Sequence, residues 1–128
     1  MTQVSVLSQG SCWGQTVTIR HFKLVADEPP DLGGQDRGPA PFEWILAGLG
    51  SCKAMTAQMY AERKGWPLER VQVDLSLHKT AEQVELQAQL TLTGSLSPEQ
   101  RQHLREIVDR CPTHRLLAGK VIIQTDLT

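Results

Sequence analysis

The chain has 128 residues, enough for one domain around one modest core and too few for two independent ones. Thirteen Lys and Arg residues against fourteen Asp and Glu leave a formal net charge of −1. The basic residues are scattered rather than clustered, which excludes an electrostatic footprint for nucleic acid or for an anionic membrane surface.

The start, MTQVSVLSQGSCW, lacks a basic region leading into a sustained apolar run, and no segment is long enough to span a bilayer, so the expected location is cytoplasmic. Residues 4–7 and 15–25 read as short strands on either side of a turn near Gly10 to Gly14, with Arg20 on the second of them. The stretch DEPPDLGGQDRGPAP, residues 27–41, is crowded with residues that break both helix and strand, and it predicts a long loop holding Arg37. Long ordered loops in small domains usually serve a site or an interface.

Residues 40–66, APFEWILAGLGSCKAMTAQMYAERKGW, predict a long helix that is apolar on nearly every side of its first half. Glu43 in its first turn complements the helix dipole, and Cys52 lies in its middle. Two clean alternations follow. Val71, Val73, Leu75 and Leu77 interleave with polar residues, as do Val84, Leu86, Ala88, Leu90 and Leu92, and they predict two antiparallel strands joined through HKTAEQ. A second helix opens at SPEQ, where Ser97 can cap, Pro98 suits the first helical position and Gln100 can complete a capping box. Its apolar stripe is Leu104, Ile107, Val108 and Cys111, and Pro112 forces a break and a restart. Gly119 closes the short new segment, and VIIQTD predicts a last strand.

The three cysteines, Cys12, Cys52 and Cys111, are an odd number at wide spacings, unlike the dense even set of a disulfide-stapled secreted domain. One cysteine on an apolar helix face is most often core filler. Here two such thiols sit on the buried stripes of two helices that share a small core, which can bring them within bonding reach. Cys111 falls at the cap of the restarted helix, where unpaired N–H groups and the dipole lower a thiol's pKa. Cys52 lies about three turns inside its helix, beyond the dipole's reach. Its thiolate needs an arginine or a helix end from elsewhere, and Lys53 leaves the helix about 100° away from it. There is no CxxC pair, and Cys111 with His114 makes only half of a metal site.

From residue 27 to residue 66, and again over SPEQRQHLREIVDRCPTHRLLAGKVIIQT, the chain resembles the OsmC/Ohr family of bacterial thiol peroxidases. The most specific points are the Gly38-Pro39-x-Pro41 entry to the helix, the Gly50-Ser51-Cys52 within it, and Cys111-Pro112-x-His114, which is most like the OsmC-like branch. The resemblance covers essentially the whole chain, as a single domain over residues 1–128. It implies an α+β fold in an intertwined homodimer, with two central cysteine-bearing helices wrapped by antiparallel sheets. It further implies that Cys52 attacks an organic hydroperoxide, that Cys111 resolves the sulfenate to a disulfide, and that an external dithiol reduces it. In the family pattern an arginine, here Arg20 or Arg37, pairs with the reactive cysteine and is held by a glutamate, here Glu43. No flavin, haem or metal cofactor is implied. A second function stays open, a dimeric small-molecule or lipid-binding protein of the same fold in which the thiols are incidental.

Overall fold

Alternating polar and β-branched residues near the start pair into a sheet that precedes the helices along the chain. The computed structural model describes residues 2–10 and 12–128 and divides the chain into two units, Met1–Ile45 and Leu46–Thr128. In the first, β1 (Ser5–Ser8), β2 (Gln15–Ile19) and β3 (Phe22–Ala26) form an antiparallel sheet in that order. Arg20 is not on a strand, as its β-rich neighbours predicted. It takes a left-handed conformation, φ 53°, in the turn between β2 and β3, because so short a reversal demands positive φ. Its guanidinium lies 5.1 Å from the centre of the Phe22 ring.

The loop that follows is held by Asp27, which is 2% exposed. The Asp27 N–H donates to the Pro39 carbonyl at 3.2 Å, and its carboxylate accepts the N–H groups of Glu28 at 2.8 Å and Arg37 at 3.3 Å. One side chain thus closes the loop at both ends. The glycines serve the same closure, since a Cβ at Gly34 would run into the Glu28 carbonyl and one at Gly38 into the carbonyl of Val25.

In the second unit the alternating segments form β4 (Leu68–Lys79) and β5 (Val84–Gly94), paired antiparallel. Their register sets Val71 opposite Leu92, Val73 opposite Leu90 and Leu77 opposite Leu86, so one face is apolar throughout. The long helix α1 (Pro41–Lys64) crosses the boundary between the units. Its buried stripe is Leu49, Lys53, Ala57 and Ala61, four residues apart. Helix α2 (Pro98–Ile107) opens with the expected capping box between Ser97 and Gln100. A 3-10 turn (Val108–Arg110) leads to Pro112, which starts α3 (Pro112–Ala118). The core joins Ala57 and Ala61 of α1 to Leu104 and Val108, with Leu96 beside them and Tyr60, Trp66, Leu68, Val71, Leu90 and Leu92 packed around. Among the described residues no helix is long and apolar enough to cross a membrane.

The expected last strand does not form. After α3 the chain carries neither helix nor strand, with Ile122 76% and Ile123 84% exposed. A strand needs a ladder partner for its N–H and C=O groups.

The loop closure has a pH signature. The Glu28 N–H, aided by those of Arg37 and Gln35 and opposed by burial, holds the Asp27 carboxyl below its ordinary value. Its stabilisation is therefore complete above the unfolded pKa of about 3.9 and is lost as pH falls through the lower folded value. Limited proteolysis of the 28–39 segment should be slow from neutral pH down to about 4 and accelerate below that. In Asp27→Ala it should be fast already at neutral pH, and equal rates in the two proteins would show that Asp27 does not close the loop.

Candidate functional site

The break that Pro112 imposes puts the two signature thiols together. Cys111 takes an extended conformation, φ −63° and ψ 145°, as the cap of α3, and its Sγ accepts the His114 N–H at 3.3 Å. It is 0% exposed. All three cysteines are free thiols.

The two thiols are neighbours that act on each other, and their acidities are pushed apart. Burial raises Cys52, but hydrogen bonds from the Thr113 hydroxyl and N–H and from the Cys111 thiol outweigh it, so Cys52 titrates below the ordinary thiol value. Thr56 is also within reach, yet its single hydroxyl proton goes to the Cys52 carbonyl at 2.7 Å, so Thr113 carries most of the effect. Cys111 moves the other way. Burial raises it, the His114 N–H lowers it, and the neighbouring Cys52 charge raises it again. The cap alone would lower the Cys111 pKa, but burial together with the neighbouring Cys52 charge outweighs its one N–H. The helix end that stabilises a thiolate serves Cys52 instead, through Thr113.

Lys53 organises this end of the second unit. It is 4% exposed, and its ammonium donates to the Val108 carbonyl at 3.3 Å, to Asp109 Oδ1 at 3.0 Å and to His114 Nδ1 at 2.9 Å. The other Asp109 oxygen takes Arg105 at 2.8 Å. Burial opposes ionisation of Asp109, but Arg105 and Lys53 keep its carboxyl below its ordinary value. An ammonium has donors only, so His114 Nδ1 accepts and the ring proton sits on Nε2. Lys53 leaves the helix about 100° round from Cys52, and its charge acts on Cys111.

The other predicted residues lie in the first unit. Glu43 Oε1 accepts the Ala40 N–H at 2.7 Å, the reciprocal half of a helix cap. Arg20 is in the β2–β3 turn, and Arg37 is in the loop with its N–H on Asp27. Cys12 is exposed and donates to the Gly33 carbonyl at 2.9 Å. The groups not foreseen are Lys53, Asp109 and Thr113. A signal for Lys53 was present, since it falls between Leu49 and Ala57 on a four-residue repeat.

Alkylation of Cys52 measured against pH in Cys111→Ser should show a thiol more acidic than a free cysteine, and Thr113→Val should shift its profile upward. An unmoved profile would remove Thr113 from the site. Lys53→Met, which strands the Val108 carbonyl and His114 Nδ1, should cost about 1–3 kcal/mol in urea unfolding.

A family model described as OsmC-like protein matches residues 33–126, and a search of curated proteins gave no significant match. Among solved structures, an OsmC-like protein from Mycoplasma pneumoniae superposes with a TM-score of 0.79 at 19% identity, covering 93% of this chain and 88% of that one. An organic hydroperoxide resistance protein OsmC from Legionella pneumophila gives 0.68 at 24% identity, with 93% and 90% covered. The organic hydroperoxide resistance protein OhrB of Bacillus subtilis gives 0.65 at 16% identity, with 93% and 91% covered. These likenesses share one α+β fold, and with the family model spanning most of the sequence, the chain belongs to the OsmC-like protein family.

Proposed function

We propose that the protein is a cysteine-based peroxidase that reduces organic hydroperoxides to alcohols. The observation that carries this reading is the pairing of two free thiols, Cys52 of α1 and the buried Cys111 at the cap of α3, as neighbours whose acidities are pushed in opposite directions. The Cys52 thiolate attacks the outer peroxide oxygen, the O–O bond breaks, and the alkoxide leaves and takes a proton from water. Cys52 is then a sulfenic acid. Its negative charge, which had held the Cys111 proton on, is gone, so Cys111 ionises only after Cys52 has been oxidised. The Cys111 sulfur attacks the sulfenyl sulfur, water leaves, and a disulfide remains for an external dithiol to reduce. The family pattern assigns roles in this reaction to Glu43 and to one of the arginines Arg37 and Arg20. The names of the Legionella and Bacillus proteins accord with this substrate class.

The working form is proposed to be a homodimer. Met55 and Met59 of α1 are exposed in the second unit, as are Ile122 and Ile123 beyond α3, and apolar groups of this number seek a cover.

Free-thiol counting after one equivalent of an organic hydroperoxide tests the chemistry. Rapid loss of two thiols per chain, abolished in Cys52→Ser, is the expected result. In Cys111→Ser one turnover should end in over-oxidation of Cys52 to the sulfinic acid. Slow loss at the rate of a free thiol, or a disulfide through Cys12, would refute the assignment. Comparing Arg20→Met with Arg37→Met identifies the arginine, since one replacement should slow peroxide turnover and the other should not. Light scattering should return twice the monomer mass, and a folded monomer at micromolar concentration would refute the dimer.

A further inference from the structure

Beside the Leu49 and Lys53 side of α1, the second unit holds a cavity of about 520 Å³ that neither thiol lines. Its apolar wall is formed by Leu49, Val73, Leu86, Leu90 and Leu117, and one end is polar, made by Lys53, Arg105, Asp109 and His114. The volume is that of an ordinary small-molecule site.

We infer that this cavity binds a medium-chain aliphatic carboxylate, with its chain along the β4–β5 wall and its acid group between Arg105 and His114. The polar end decides the sign of the ligand. Lys53 and Arg105 each donate to one oxygen of Asp109, so two cations face one carboxylate and a positive charge is left over. The three Lys53 protons are spent on Val108, Asp109 and His114. Each Asp109 oxygen already faces one of these cations, so its carboxylate is committed to balancing them. What remains to offer are donors: the His114 Nε2–H, left by the bond that Nδ1 accepts, and the guanidinium protons that Arg105 does not give to Asp109. An end that is net positive and holds uncommitted guanidinium protons, beside an aliphatic wall, fits an anionic acceptor head on an apolar chain.

The inference does not depend on the thiol chemistry, and the experiment keeps the two apart. Isothermal titration of the full chain with decanoate below its micelle concentration should show saturable binding, about tenfold or more tighter than decanol. Arg105→Met should remove that preference while decanol binding persists. Ala88→Phe, which fills the cavity from β5, should abolish binding of both. The Cys52→Ser, Cys111→Ser double variant should bind decanoate as the parent does. Equal affinities for the acid and the alcohol would overturn the inference. So would no binding, the result expected if a second copy or the 119–128 segment fills the cavity, and so would decanoate binding that Arg105→Met and Ala88→Phe both leave unchanged.

Discussion

The buried ammonium of Lys53 is the constraint on which the second unit depends. A charge taken out of water must be surrounded by acceptors, or the fold that buries it is lost. Lys53 has three protons, and all three acceptors come from the chain between Val108 and His114. One side chain of α1 therefore determines where the turn after α2 must lie. Pro112 makes a break in the helix necessary, and Lys53 fixes the position of the broken ends. Thr113 and Cys111 sit inside the span so fixed, and their contacts with Cys52 follow from it.

Two neighbouring thiols cannot both ionise easily, because the second charge would face the first. What breaks the symmetry is the distribution of donors. Cys52 receives the Thr113 hydroxyl and N–H, whereas Cys111 pays the larger desolvation cost against a single amide. The donors that act on Cys52 within the second unit are neutral groups of the first turn of α3, and the Lys53 charge falls on the less acidic thiol.

The same helix carries different demands on different faces. The Leu49, Lys53, Ala57 and Ala61 stripe is satisfied within the second unit, and small residues at 57 and 61 let α2 approach closely through Leu104 and Val108. Met55 and Met59 on the other side are exposed. This division accounts for a sequence apolar in nearly every direction.

Much of the architecture was legible from residues close together in the chain. Alternation over 71–77 and 84–92 specified β4, β5 and their facing sides, because the strand period is set by local geometry. Ser97 and Gln100 marked the start of α2, and Pro112 marked the break, since a cap and a missing N–H act within one turn. The spacing of the cysteine motifs carried the family resemblance. The β-rich pattern around Arg20 predicts a strand and hides a tight reversal. The last strand is predicted by composition alone, which says nothing about whether a ladder partner is at hand. The burial of Lys53 was decided by tertiary structure, because its acceptors lie more than fifty residues away along the chain. So was the direction of the Cys111 shift, where the cap position pointed downward and burial beside Cys52 turned it upward. Local sequence determines which backbone groups need partners, while desolvation is set by whatever the distant chain packs against a group, and it is desolvation that fixes where the charges of this site reside.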